Sequence, residues 1–119
     1  MDFEFAWTLV VIPVFLGFAA WSAWAAGTGR LKRNLWIGYK APWLNESDWA
    51  WREGHRAATR ISIIAAIFVT ICSGVEALLW AFGVSPQELI GVLFVVTLVC
   101  VGSPAAVASR AAYRAESVR

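Results

Sequence analysis

The chain has 119 residues, of which 60% are hydrophobic and 15% charged, and its mean hydropathy is +0.64. A soluble domain carries about 45–50% apolar and about 25% charged residues, so both departures point to the membrane and exclude a disordered chain. A chain of this length is expected to hold one domain without a soluble catalytic unit. Two cysteines exclude a disulfide scaffold, and a net charge of +2 gives no support to a nucleic-acid partner.

A helix needs about 20 mostly apolar residues to cross about 30 Å of hydrocarbon. The first such run, uncharged over residues 5–29, predicts a span over about residues 5–26 that ends at Gly27-Thr28-Gly29. Asp2 and Glu4 precede it and no base does, which argues against a cleaved signal peptide despite the small-x-small sequence Ala23-Trp24-Ala25. Pro13 is expected to kink this span. Ala19, Ala23 and Gly27 make a small-residue stripe on it that would let another helix approach closely.

Residues 27–59 form a loop in which Trp36, Trp43, Trp49 and Trp51 interleave with bases. Trp favours the headgroup level, and Lys and Arg favour anionic lipid. Asn45 or Ser47 can cap a helix that starts near Asp48, and nothing but Gly54 opposes its running on into the next span. On that helix Trp51 and His55 are i, i+4 neighbours, and Arg52, Arg56 and Arg60 form a basic stripe. The stripe reads as a positive-inside anchor or as a phosphate or acidic-partner site.

The second span is predicted over about residues 60–83 and is interrupted only by Glu76. Gly83-Val84-Ser85-Pro86 follows as a tight turn, with Ser85 as N-cap and Pro86 at the first helical position. The third span covers about residues 88–109, with Pro104 inside it and a stripe of Gly102, Ala106 and Arg110, and residues 110–119 form a tail. Cys72 and Cys100 lie within spans at no metal-site spacing, and there is one histidine, so no metal and no other cofactor is expected. The fold class is therefore all-α, a single membrane domain of three transmembrane helices.

Seven of the ten Lys and Arg residues lie between spans one and two, and the other three follow span three. With three spans these regions share one side. The positive-inside rule makes that side cytoplasmic, so the N-terminus faces out and the C-terminus in. Glu76 then lies about 24 Å along the helix from Arg60, in the outer third of the bilayer and away from every base in the chain. It snorkels to the outer surface, meets a cationic partner from outside the chain, or faces spans one and three near Thr8 or Thr97 as hydrogen-bond partners.

The loop carries a longer pattern: Asn34, then Ile37-Gly38-Tyr39-Lys40, Pro42-Trp43, Ser47, and Trp51 four residues before His55-Arg56. This resembles the signature of the SdpI-like membrane proteins, with Lys40 where Arg is usual, Ala41 where Thr is usual and Leu44 where Thr is common. The resemblance covers residues 34–56 and the flanking spans, and this chain looks like the minimal motif-bearing unit. It implies a bacterial cytoplasmic membrane location and a non-enzymatic role in immunity and signalling. Asn34, Gly38, Lys40, Pro42, Trp43, Trp51, His55 and Arg56 then form the functional motif, with Glu76 as an intramembrane acid. The implied partners are a membrane-active peptide toxin outside and a cytoplasmic regulator inside, besides the anionic inner leaflet.

Other readings of the same residues are a small accessory subunit of a larger membrane complex and a small homo-oligomeric transporter using Glu76. A lipid-modifying enzyme with His55 as base is weaker, because no matched nucleophile or metal set accompanies it. The orientation has a direct test. A reporter fused after Arg119 is expected to be active only in the cytoplasm, and periplasmic activity would reverse both faces.

Overall fold

The computed structural model describes residues 3–118 as three helices: α1 Phe3–Gly27, α2 Asp48–Ala81 and α3 Pro86–Ser117. Each is long and apolar enough to cross a membrane. Large apolar side chains cover the outside of the bundle, among them Val14, Phe15, Ile64, Phe68, Leu78, Phe94 and Leu98. That surface suits lipid, where apolar side chains meet no water.

The molecule measures 56 × 21 × 20 Å. A hydrocarbon core of about 30 Å is shorter than this, so the start of α2 and the end of α3 project together beyond one face. Ser47 caps α2, accepting the Ala50 N–H at 3.0 Å, so the choice between Asn45 and Ser47 falls on Ser47. α2 then runs unbroken for 34 residues. At its far end Gly83, with φ +98°, makes the turn, and Pro86 opens α3 as the sequence predicts. Ser85 occupies the cap position, but its hydroxyl caps no backbone N–H and donates instead to the Gln87 side chain at 2.5 Å. α3 continues to Ser117 through most of the tail expected after residue 109.

α2 lies between the other two and packs along both, whereas α1 and α3 meet at few residues. Its buried side chains recur every three or four residues: Trp51, His55, Ala58, Ser62, Ala65, Val69, Ser73 and Glu76. That spacing is one stripe of an α-helix. Leu16, Ala65, Val69 and Cys100 form the core within the spans, and Ala26, Leu44, Ala50, Trp51, Ala58, Ala108 and Ala112 form a second core at the projecting end.

Small residues set the helix distances there. A Cβ on Gly27 would stand 2.8 Å from the Arg56 Cα, and one on Gly54 would stand 2.8 Å from the Ala108 carbonyl oxygen and strike Leu44. Ala23 and Gly27 are buried, so the α1 stripe faces α2. On α3 the small-residue stripe named in the sequence does not face α2. Gly102, Ala106 and Arg110 are exposed, while Cys100, Pro104, Ala108, Ala112 and Ala115 turn inward. Many small residues lie on both faces of α3, so small-residue spacing alone does not select the face that packs.

Candidate functional site

Residues 28–47 contain no helix or strand, yet side chains tie them down along their length. The Asn34 carboxamide oxygen accepts the Trp36 and Ile37 N–H groups at 2.8 and 2.7 Å, and its nitrogen donates to the Lys32 carbonyl at 2.8 Å. An Asn side chain that replaces backbone partners in this way builds a turn locally. Lys40 closes the same turn, donating to the carbonyls of Asn34 and Ile37 at 2.8 and 3.1 Å. Its ammonium also stands 4.9 Å from the centre of the Trp51 ring, within cation–π range. Gly38 has φ +104°, and a Cβ there would lie 2.7 Å from the Trp51 ring and 2.9 Å from His55 Nε2. Backbone conformation and space both demand glycine.

His55 is fully buried. Its Nε2 accepts the Tyr39 N–H at 2.9 Å, so the ring proton sits on Nδ1, which donates to the Trp51 carbonyl at 2.8 Å. Burial holds the imidazole below the usual histidine range, and the Lys40 charge adds to this. The Trp51 ring lies 4.2 Å from the His55 ring, and its N–H donates to the Leu31 carbonyl at 3.0 Å. Tyr39 stacks on His55 and reaches Ser62, two turns deeper on α2, at 2.6 Å. Burial pushes the Tyr39 phenol up, which keeps its proton in place.

The second half of the loop is held by α3. Ser109 donates to the Pro42 carbonyl at 2.9 Å. Trp43 adopts φ +77° and packs edge-on against Tyr113 at 5.0 Å. Leu44 is wholly buried, and Ser47 hydrogen-bonds Glu116. Arg33 joins the two halves, donating to the Asn45 carbonyl at 3.0 Å and pairing with Asp48 at 3.3 Å.

Of the residues singled out in the sequence, Asn34, Gly38, Lys40, Trp51 and His55 thus come together in one hydrogen-bonded knot. Pro42 and Trp43 lie on the α3 side of the loop. Arg56 stays apart, with its guanidinium outside and paired with Glu53 at 3.2 Å. Glu76 is about 32 Å along α2 from His55, on the same buried stripe, and is 5% exposed. Its Oε2 has no hydrogen-bond partner among the described residues, and neither has the buried hydroxyl of Ser73, one turn before it. The expected partners are engaged elsewhere: the Thr8 hydroxyl donates to the Phe5 carbonyl and that of Thr97 to the Leu93 carbonyl, both at 2.7 Å.

The model of the SdpI/YfhL protein family matches residues 30–105. The chain belongs to this family. Neither a curated protein nor a solved structure matches it. The family match and the three span-capable helices make it a multi-pass membrane protein. The matched region of this SdpI-family chain takes in the whole knot, all of α2 and the first two-thirds of α3, whereas α1 lies before it.

Tyr39 and Ser62 are the members of the knot absent from the expected functional residues. The signal was present: Tyr39 stands inside the Gly38–Lys40 motif, and Ser62 follows His55 by seven residues, which is two turns on the same face.

The geometry sets the pH response. A histidine held below its unfolded value near 6.5 contributes stability that is complete above that value and is lost as pH falls below it toward the folded value. The thermal midpoint of the purified protein in detergent is therefore expected to drop on acidification from pH 7. His55→Ala strands the Tyr39 N–H, costing about 1–3 kcal/mol, and should flatten that pH dependence. An unchanged slope in His55→Ala would show that another group titrates.

Proposed function

We propose that this SdpI-family protein is a non-catalytic immunity or signalling protein of the bacterial cytoplasmic membrane. It would answer to a membrane-active peptide arriving from outside. The observation that carries the reading is the continuity of α2. One unbroken helix bears the latched loop at its first turns and the buried Glu76 near its other end. With the ten bases inside, Glu76 lies toward the outer leaflet, where such a peptide enters. The Trp-rich loop lies toward the cytoplasm, where a regulator waits. A stiff helix packed on both neighbours links the two ends as a single body.

The chemistry of the loop fits recognition better than catalysis. His55 has both ring nitrogens committed to the backbone and no exposure, so it offers no free base to a substrate. Leu35 and Trp36 stand on the outside of the Asn34 turn and are largely exposed. They provide an apolar tip for the inner leaflet or a cytoplasmic protein.

The test is survival of a susceptible cell challenged with a membrane-active peptide. Expression of the wild-type chain is expected to protect. Trp51→Ala and His55→Ala should lose most of that protection through the loop, and Glu76→Gln through the outer half, with membrane insertion retained in all three. Wild-type protection by every variant would leave neither the loop nor Glu76 with a part in it.

A further inference from the structure

Hydroxyls on the spanning helices are mostly satisfied by their own backbone. Thr8, Ser22, Thr70 and Thr97 each donate to a carbonyl three or four residues earlier, at 2.7 or 2.8 Å. Ser73 does not: its buried Oγ has no partner among the described residues, and one turn on the same holds for the Glu76 Oε2. Both residues are 5% exposed. Two free polar atoms on one buried stripe, shut away from water, are costly unless something comes to meet them.

The surroundings define what that is. The buried stripe of α2 looks onto the line where α1 and α3 barely touch. In the same half of the bundle these two helices leave a cleft of about 140 Å³, lined by Thr8, Ile12, Ile90, Leu93, Phe94 and Thr97 and by no residue of α2. Phe5 of α1 and Trp80, one turn beyond Glu76 on α2, pack edge-on at 5.1 Å. The other charged groups described at this end are the exposed acids Glu4 of α1 and Glu88 of α3. No Lys, Arg or His stands there on any of the three helices. A buried acid whose charged neighbours among the described residues are acids is complementary to a cation on an apolar chain.

We propose that Glu76 and Ser73 form the recognition site for a primary ammonium carried on an apolar chain, the amine of a membrane-active peptide entering the outer leaflet; this rests on the immunity reading above. An ammonium has three donors and no acceptor. The Glu76 carboxylate supplies the opposite charge and accepts one N–H, the Ser73 oxygen accepts a second, and the apolar chain would extend from them between α1 and α3 toward the cleft. A charge-assisted bond of this kind, out of water, is stronger than the same bond at the surface.

The probe is an alkylamine bearing a photoreactive diazirine, with the alcohol of equal chain length beside it. The full chain is placed in nanodiscs of phosphatidylglycerol, which brings no amine of its own. Amine adducts are expected on peptides carrying residues 8–12, 73–76 and 90–97. They should fall about tenfold or more in Glu76→Gln and by less in Ser73→Ala, while alcohol adducts stay unchanged in both. Glu76→Asp keeps the charge, should keep the amine adducts, and carries the comparison if the Gln variant does not fold. Equal amine labelling of wild type and Glu76→Gln, or equal labelling by amine and alcohol, overturns the proposal. The cell assay separates it from the immunity reading. Glu76-dependent amine labelling in a chain that gives no protection keeps the site and removes the toxin as its ligand. Protection without such labelling removes this site alone.

Discussion

His55 is held neutral between two backbone groups, the Trp51 carbonyl and the Tyr39 amide, and most of the loop's order follows from that arrangement. A loop without regular structure has unpaired amides and carbonyls that water would ordinarily satisfy. Here one imbalance is met by an imidazole that cannot serve if protonated, because Nε2 would then present a second donor to the Tyr39 N–H. Gly38 is glycine because any Cβ would enter the space that the Trp51 and His55 rings fill. Lys40 sits where it neutralises two turn carbonyls and, by its charge, further disfavours a charged His55. The motif is thus a set of mutual constraints in which each residue type is fixed by its neighbours.

The knot connects to the rest of the molecule through α2. Tyr39 reaches past His55 to Ser62, so the loop grips the helix at two depths, and Ser109 and Glu116 hold its second half to α3. Close approach of the helices at Gly27 and Gly54 leaves little slack between this end and the spans. Displacing the loop would therefore disturb packing that continues along the α2 stripe toward Ser73 and Glu76. Coupling of the two ends needs two alternative arrangements of that stripe. The unsatisfied polar atoms at the far end are where a second arrangement has most to gain.

The spans were legible in the sequence because length and hydropathy alone decide them. The loop motif was legible as a pattern of residue types, but its architecture was not. Its bonds join residues 16, 23, 67 and 69 positions apart, and no local propensity encodes such pairs. Gly54 looked like a blemish in a helix and is the point where α2 meets Leu44 and α3. The inward face of α3 is not legible in the sequence, since Gly102 and Ala106 offer the same small surface as Ala108 and Ala112 and spacing does not fix phase. The position of Glu76 on the buried stripe follows from its distance to His55, 21 residues or about six turns. Thr8 and Thr97 do not serve it, because a helical threonine bonds its own backbone more readily than a neighbour.

The claim on which the account rests is that the loop is a fixed structure latched by His55. Hydrogen exchange at the Tyr39 amide measures it most directly. The Tyr39 N–H should exchange as slowly as the amides of α2 in the wild-type chain, and its protection should vanish in His55→Ala while that of α2 persists. Exchange of the wild-type Tyr39 amide at the rate of an open loop would contradict the account.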